Sequence, residues 1–581
     1  MWLQIVTALV GLALLSLADT TGNPNIVFIL TDDQDVRMNS LSHMQHVQDL
    51  LIREGTQFLR HYAHAALCCP SRVTLWTGLH AHNHNVTDVV EPYGGWSKVQ
   101  QVGLHNKYLP VWLSEHGYNT YYAGKLYNGY GEKNYDSDGK YAAGWTESDF
   151  LVESKAYTYY DSVFQHNKGD QHDKPRKVTG YSTSIITDAT LQYIEDSVTD
   201  NTPFFVVAAP IAPHTSITQP PVPHPIPEKK YDGKLSGLKV PDAPNFNPNQ
   251  RSGVNHIRDL GQITNTSYLD FLDLFHQKRI ETLLSVDDLV REVVTKLEDK
   301  GILDNTYIIY TSDNGFHIGH HRMAPGKRSP YEEDINVPMI IRGPGVGKGM
   351  DTDMVTSHVD LAPTIMNMAG VDPEPEKHKL DGLGLKFPLS NSDEFEQAKN
   401  TRGEHVNVEL WGPFQQEGRG HPKVEAIQSF KALRIQRDDY DFMYSVWCNQ
   451  TAHELYDMKS DEYQMTNLYP ADGASNTQNI LGRPVQQLVN RLDAVILVQK
   501  SCRQDQCRSP WKHLHPDGQV HNLKQALDVK FDEQYAQYPK VKYDECFMST
   551  LYDPAAEGPQ WDDVEASRLL MRDGLPWDAW A

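Results

Sequence analysis

The stretch Asn25-Ile26-Val27-Phe28-Ile29-Leu30, which runs directly into Asp32 and Asp33, decides the predicted fold. A short, continuous apolar run of this kind is typical of a strand that is buried on both faces of a sheet. Comparable runs lie at residues 203–208, 306–310 and 337–341. Before the run at 306–310, apolar residues at helical spacing predict a helix that ends at Gly301; these are Val286, Val290, Val293 and Leu297.

Strands that alternate with helices predict an α/β fold, with a large mixed, mostly parallel sheet sandwiched by helices. The pattern changes after residue 400, where segments 432–435, 440–444 and 454–458 resemble antiparallel strands, and a helix is predicted over 486–500. We therefore predict three parts. A larger domain spans residues 19–400, a smaller C-terminal α+β domain with an antiparallel sheet spans 401–510, and an irregular C-terminal extension spans 511–581.

The N-terminal segment predicts export. Residues 1–18 form an uncharged apolar run that ends in Ser16-Leu17-Ala18, a small-x-small pattern. This pattern favours a signal peptide over a membrane anchor, because a spanning helix needs roughly 20 apolar residues. No later stretch of the sequence is that apolar, so we expect a secreted protein, or one in a lysosome-like or vacuole-like compartment, without membrane contact. Three sequons are compatible with this route: Asn85, Asn265 and Asn449.

The formal charge of the 581-residue chain is −23. This acidity argues against nucleic acid as a partner, because phosphate backbones need clustered Lys and Arg. Its ordinary consequence is solubility. A site for an anionic substrate in this chain must therefore gather its cations locally.

The cysteines fall into two groups. Four lie late in the chain and suit two disulfides, of which we expect Cys502–Cys507 to be one; the other two are Cys448 and Cys546. Cys68 and Cys69 are adjacent and cannot easily bridge each other, so at least one of these thiols needs another explanation.

Polar side chains follow three of the predicted strands. Asp32 and Asp33 follow the first strand, His214 follows the run at 203–208, and Asp313 and Asn314 follow the run at 306–310. Ligands of open α/β sheets bind beyond the carboxyl ends of the strands, so we expect these side chains to converge. Carboxylate and amide oxygens suit a hard divalent cation. The proline- and lysine-rich segment 220–248 is either a lid near this site or a passive insertion.

The segment Cys68-Cys69-Pro70-Ser71-Arg72, with Thr77-Gly78 after it, resembles the signature of the sulfatase family. The segments Gly124-Lys125-Leu126-Tyr127-Asn128 and Thr311-Ser312-Asp313-Asn314-Gly315 resemble further family motifs. Together they look most like the branch that holds arylsulfatases and N-acetylglucosamine-6-sulfatases. The resemblance covers residues 24–470 and implies an alkaline-phosphatase-like superfold, with the catalytic sulfatase domain at 19–400.

By this resemblance, a formylglycine-generating enzyme oxidises Cys68 to formylglycine during maturation. The hydrated aldehyde would supply one hydroxyl that attacks sulfur and a second that, once deprotonated, expels sulfate. Pro70 favours a helix start just after Cys68, which would point backbone N–H groups at the bound anion.

The resemblance also implies roles for other residues. Arg72 would hold the formylglycine hydrate, Lys125 and Lys327 would bind sulfate oxygens, and His214 would protonate the leaving alcohol. One Ca²⁺ ion per chain is expected, and its implied ligands are Asp32, Asp33, Asp313, Asn314 and the formylglycine derived from Cys68.

One residue departs from the family pattern, and one histidine cluster has a second interpretation. Many sulfatases carry a histidine two residues after the lysine equivalent to Lys125, whereas this chain has Tyr127. His80, His82 and His84 are spaced at two and would not share a helix face, so we interpret them as ordinary polar contacts rather than zinc ligands.

We therefore expect hydrolysis of sulfate esters, with an aryl sulfate as the favoured substrate and a 6-sulfated glucosamine sugar as the alternative. A phosphatase of the same superfold would want a serine or threonine nucleophile and a histidine-rich two-zinc site. An inactive glycan-binding protein of this fold would be expected to have lost a ligand or a cation, and none is evidently lost.

Overall fold

The computed structural model describes residues 22–153, 155–217, 224–412, 429–448, 452–469, 479–543 and 559–562. The predicted signal peptide, the sequon at Asn449 and Cys546 lie outside these residues. Among the described helices, none is both long enough and apolar enough to cross a bilayer.

The larger domain is built around a mixed sheet that has eleven strands within the described residues. Five neighbouring central strands are parallel; in spatial order they are Thr306–Ser312, Asn25–Thr31, Phe204–Ala209, Asn119–Gly124 and Glu147–Leu151. Further strands extend the sheet, namely Met339–Arg342, Thr56–Phe58 and Met350–Thr352 at one edge and Val163–Lys168, Gln171–His172 and Arg176–Lys177 at the other. The predicted α/β fold with a large mixed, mostly parallel sheet is confirmed: the five central strands are parallel, and so is the edge pair Thr56–Phe58 and Met350–Thr352.

The first strand shows why helices cover both faces of this sheet. Phe28 and Leu30 are buried against Trp76 on one face, whereas Val27 and Ile29 are buried on the other. The first face carries the helices Cys68–Thr77, Leu109–Glu115 and Leu361–Met368. The second face carries Ser182–Asp200 and Thr266–Asp299. The last of these contains the helix predicted from the apolar spacing.

The smaller domain contains a four-stranded antiparallel sheet of strands His405–Leu410, Phe430–Arg437, Tyr440–Trp447 and His453–Asp457. The helix Val485–Gln499 shares a buried apolar cluster with this sheet. The described part of the extension adds the short helices Pro510–Leu514, Leu523–Ala526 and Asp532–Gln537 to the same cluster. Buried Glu404 ties the first two of these helices to the sheet, because Trp511 Nε1 and the Leu523 amide donate to its carboxylate at 3.0 and 2.7 Å.

Shorter elements complete the described chain. The strands are His61–Tyr62, Thr356–Ser357, Asn479–Ile480 and Arg483–Pro484, and the helices are Gln45–Val47, Ala81–His84, Gly95–Gln101, Asn255–Asp259, Glu332–Ile335, Pro375–His378, Ser392–Thr401 and Asp505–Arg508.

The predicted disulfide Cys502–Cys507 is present, and Cys448 is also disulfide-bonded. Among the described cysteines, Cys68 and Cys69 are the free ones, and both are buried.

Of the three closely spaced histidines, His80 and His82 stack on each other with ring centroids 5.3 Å apart. His82 pairs with Glu409 of the smaller domain at 2.9 Å, and Lys431 lies 3.2 Å from the same carboxylate. His84 contacts Thr74, and the ring of His80 packs edge-on against His64. His82 therefore joins the two domains through a buried ion pair.

Candidate active site

The parallel strands end at one edge of the sheet, and four of them lead into predicted site residues. Asp32 and Asp33 follow Asn25–Thr31, Asp313 and Asn314 follow Thr306–Ser312, Lys125 follows Asn119–Gly124, and His214 comes shortly after Phe204–Ala209. Side chains from distant parts of the chain therefore meet, as expected from the crevice at the carboxyl ends of parallel strands.

Cys68 is the first residue of the helix Cys68–Thr77 and lies among these side chains. Its Sγ lies 3.4 Å from Asp32 Oδ1 and 3.9 Å from Asp33 Oδ1, and Lys327 Nζ donates to it at 2.9 Å. The residue is 2% exposed. Burial raises the pKa of the Cys68 thiol well above its ordinary value, although Lys125 and Lys327 oppose the shift. An unmodified Cys68 is therefore a neutral thiol, which is a weak nucleophile.

Three buried carboxylates are matched by three buried cations. Lys125 Nζ lies 2.6 Å from Asp32, Arg72 Nε lies 2.7 Å from Asp313, and Lys327 pairs with Asp33. Burial would raise the pKa of Asp32, but Lys125 and Arg72 outweigh it, and the pKa falls to about 2. Burial of Asp33 is likewise outweighed, chiefly by Lys327, and its pKa is also lowered. These three pairs together carry no net charge.

Two buried oxygens at this site have no hydrogen-bond partner among the described residues, Asp33 Oδ2 and Asn314 Oδ1. Their side chains are neighbours, because Asn314 Nδ2 donates to Asp33 Oδ1 at 2.7 Å. Ligand atoms of Asp32, Asp33, Cys68 and His214 also lie within 4.8 Å of one another. Buried oxygens without a donor are costly, and a hard divalent cation would satisfy them. The free oxygens of Asp33 and Asn314 therefore fit such an ion.

His214 presents one ring nitrogen to the carboxylates. Its Nδ1 lies 2.8 Å from the carbonyl oxygen of Thr215, so Nδ1–H is the donor that this contact requires. Its Nε2 lies 3.7 Å from Asp33 Oδ2. The nitrogen that faces the site is therefore Nε2.

Tyr127, which stands where a histidine occurs in many sulfatases, turns to the hydrophobic core. It is 3% exposed and stacks on Trp96 with ring centroids 6.1 Å apart. The next residue, Asn128, is the one that turns toward the site, and its Nδ2 donates to the hydroxyl of Tyr157.

Tyr157 is a site residue that sequence reasoning missed. Its ring stacks on His214 with centroids 4.2 Å apart, and Lys125 Nζ lies 4.7 Å from the ring centroid. It follows the central parallel strand Glu147–Leu151, which carries Glu147 and Asp149 and does not form an apolar run. If that strand had been recognised in the sequence, Tyr157 would have been expected at the same edge of the sheet.

Known proteins resemble this chain over most of its length. Residues 24–371 match the family model for sulfatases, and residues 319–491 match the model for the C-terminal part of N-sulphoglucosamine sulphohydrolase. An arylsulfatase of Volvox carteri is 34% identical over 572 residues, which cover 94% of this chain and 85% of that protein. The human N-acetylglucosamine-6-sulfatase is 31% identical, with 86% of this chain and 88% of that protein covered.

A solved structure of a protein in complex with its substrate, D-glucosamine-2-N,6-O-disulfate, shares the fold with a TM-score of 0.62 and 23% identity, covering 82% of this chain and 98% of that one. The match of the family model to more than half of the chain, and relatives above 30% identity along nearly all of it, show its family. The chain belongs to the sulfatase family, and it is a hydrolase of sulfate esters.

Proposed function

We propose that this sulfatase is an arylsulfatase whose nucleophile is a formylglycine formed from Cys68 and whose cofactor is one Ca²⁺ ion. The observation that carries the proposal is the convergence on Cys68, whose sulfur lies 3.4 Å from Asp32 and 2.9 Å from Lys327. The hydrated formylglycine would supply the attacking hydroxyl, and the cation would neutralise charge on the sulfate oxygens.

Charge balance supports a divalent cation together with sulfate. The three buried carboxylates are already offset by Arg72, Lys125 and Lys327. A divalent cation would therefore leave the site with an excess of two positive charges, which favours binding of the monoanionic sulfate ester and of the sulfate dianion that it releases. The residues proposed to hold the ion are Asp32, Asp33, Asp313, Asn314 and the modified residue 68. The unpaired oxygens of Asp33 and Asn314 are the strongest support for this set.

The remaining side chains bind the anion and move a proton. Lys125 and Lys327 bring two ammonium groups to the reacting residue, and Arg72 Nη2 is a buried donor without a hydrogen-bond partner among the described residues. We propose that Arg72 orients residue 68 and that the two lysines bind sulfate oxygens. His214 would donate the proton on Nε2 to the leaving oxygen, since its Nδ1 is occupied by the carbonyl of Thr215.

The favoured substrate is an aryl sulfate, because the arylsulfatase of Volvox carteri matches nearly the whole chain. A 6-sulfated glucosamine sugar is the second candidate, because the human N-acetylglucosamine-6-sulfatase matches over a comparable share of both chains. Both esters need the same sulfate-binding residues and differ in the leaving group.

The proposal extends to organisation and location. Residues 19–400 would form the catalytic domain, 401–510 the smaller domain and 511–581 a C-terminal extension, after removal of a signal peptide at 1–18. The apolar N-terminus and the disulfide Cys502–Cys507 support passage through the secretory pathway. The partners we propose are the sulfate ester and the formylglycine-generating enzyme, without nucleic acid or membrane.

Mass spectrometry of the tryptic peptide at residues 61–72, which contains both Cys68 and Cys69, tests the nucleophile. We expect an aldehyde at position 68 and an alkylatable thiol at position 69, so that Cys69 serves as the control within one peptide. Two alkylated thiols in fully active protein would refute the proposal.

Turnover of 4-nitrophenyl sulfate, N-acetylglucosamine-6-sulfate and 4-nitrophenyl phosphate tests the substrate class, with Cys68→Ala as the matched inactive variant. We expect hydrolysis of the aryl sulfate by the wild type and none by the variant. Faster turnover of the sugar would favour the second candidate. Binding of sulfated sugars without any turnover, in metal-loaded and modified protein, would indicate an inactive glycan-binding protein instead.

A further inference from the structure

The ring of Tyr157 contacts two side chains of the proposed catalytic machinery at once. It is 6% exposed and lies almost parallel to the imidazole of His214, at an interplanar angle of 28° and a centroid distance of 4.2 Å. The ammonium of Lys125 lies 4.7 Å from the same ring centroid, which is within the range of a cation–π contact.

The backbone around Tyr157 also fixes the segment that carries His214. The carbonyl oxygen of Tyr157 accepts hydrogen bonds from the Ile217 amide at 3.0 Å and from Ser216 Oγ at 3.4 Å. Two residues further along, Tyr159 donates its hydroxyl proton to the carbonyl oxygen of His214 at 2.7 Å. The chain from His214 to Ile217 is therefore tied to the segment that follows strand Glu147–Leu151.

The Tyr157 ring is itself held in place. Asn128 Nδ2 donates to its hydroxyl, and Asn128 is 8% exposed. Its neighbour Tyr127 is stacked on Trp96 in the core, so Asn128 is the residue of this segment that reaches Tyr157. The Tyr157 ring is therefore held at its hydroxyl and through its backbone, and it packs as a rigid surface against the imidazole of His214.

The direction of the imidazole decides which atom can receive its proton. Nδ1 points to the Thr215 carbonyl and Nε2 points toward Asp33, so a rotation of the ring would carry Nε2 away from the leaving oxygen. The hydrogen bond at Nδ1 fixes one edge of the ring, and the flat face of Tyr157 restricts tilting out of that plane. Proton transfer depends steeply on such alignment.

We infer that Tyr157 is a positioning residue that sets the orientation of His214 for protonation of the leaving group. This inference rests on the proposed role of His214 as the general acid. In this scheme Tyr157 acts through the imidazole and secondarily through the ammonium of Lys125.

Substrates whose leaving groups differ in basicity distinguish a role of Tyr157 in positioning the general acid from a purely structural role. A good leaving group such as 4-nitrophenolate needs little protonation, whereas phenolate needs more. In Tyr157→Leu, which lacks the aromatic face, we expect kcat for phenyl sulfate to fall by about 10-fold or more and kcat for 4-nitrophenyl sulfate to stay within about threefold of wild type. Tyr157→Phe keeps the ring, and we expect both rates to stay within about threefold of wild type.

Tyr127→Leu is the matched control, because Tyr127 is an equally buried tyrosine that stacks on Trp96 rather than on the site. We expect it to lower the thermal midpoint without changing the ratio of the two rates. A second arm places Tyr157→Leu in a His214→Ala background, where we expect no further loss on phenyl sulfate, since the imidazole is already absent.

Two results would overturn the inference and leave the proposed function intact. One is an equal loss of kcat on both esters in Tyr157→Leu; the other is that Tyr157→Leu lowers kcat for phenyl sulfate as much in the His214→Ala background as in the wild type. If His214→Ala itself lowers both rates equally, the proposed general acid is wrong and the inference fails with it. If the wild type hydrolyses neither ester, the arylsulfatase proposal fails first.

Discussion

Replacement of Lys327 by methionine tests the electrostatic core of the site. The change removes the ammonium and keeps a side chain of similar length. Lys327 Nζ donates both to the carboxylate of Asp33 and, at 2.9 Å, to Cys68 Sγ, and its side chain is 2% exposed. The variant would leave three buried carboxylates facing two cations.

The expected loss follows from that geometry. Removal of one donor that faces the developing charge typically costs ~3–4 kcal/mol of transition-state stabilisation, so we expect kcat for 4-nitrophenyl sulfate to fall by about 10²–10³. Removal of one partner from a buried ion pair destabilises the fold by ~3–5 kcal/mol, and a bound divalent cation should offset part of this cost.

Two measurements separate these effects: steady-state turnover and urea unfolding, the latter with Ca²⁺ and with a chelator. Lys348→Met is the control, because Lys348 pairs with Glu54 at the surface with 72% of its side chain exposed. Such a pair contributes at most about 1 kcal/mol, so we expect wild-type turnover there. A folded Lys327→Met enzyme with turnover within about threefold of wild type would refute the role of Lys327 in sulfate binding.

Three further outcomes are expected. A calcium chelator should abolish turnover and lower the thermal midpoint, and added Ca²⁺ should restore both; full activity of protein shown to be metal-free by elemental analysis would exclude the cation site. Burial raises the pKa of Asp493 to about 6, from 3.8, so its ionised form opposes folding by ~3 kcal/mol above pH 6, and this penalty vanishes below the unfolded pKa. Asp493→Asn should therefore raise the thermal midpoint at neutral pH and not in acid, and an unchanged midpoint at neutral pH would contradict the burial argument. His82→Ala removes one donor from buried Glu409 and leaves its ion pair with Lys431, so the unfolding free energy should fall by ~1.5–3 kcal/mol in a urea titration; a variant as stable as wild type would contradict this contribution of His82.

The sequence predicts the oxygen-rich part of the site for a clear reason. Asp32 and Asp313 come directly after short apolar runs, and the carboxyl ends of parallel strands meet at one edge. Lys125 and Lys327 do not stand out from composition or periodicity, and their selection depended on the resemblance to sulfatases. The apolar pattern predicts strands. It does not distinguish a buried lysine from a solvent-exposed one, because burial depends on contacts with residues distant in the sequence.

Other features could not be predicted because tertiary packing decides them. The strand Glu147–Leu151 carries two acidic residues and is stabilised by pairing with Asn119–Gly124 and Val163–Lys168, so Tyr157 could not be placed from the sequence. The tail after residue 510 has no strong periodicity, yet its short helices bury Trp511 and Leu523 around Glu404. A contact between residues more than a hundred positions apart leaves no local signal in a single sequence.

The burial of position 68 sets an order of events during biosynthesis. In the folded chain this side chain is 2% exposed and enclosed by Asp32 and Lys327, so a second protein cannot grasp it there. Any enzymatic oxidation of this side chain must therefore precede folding of the segment. The oxidation then competes with formation of the sheet around residue 68. Under the proposed modification, the folding rate would limit the fraction of chains that are oxidised, and a chain that folds before oxidation would stay inactive.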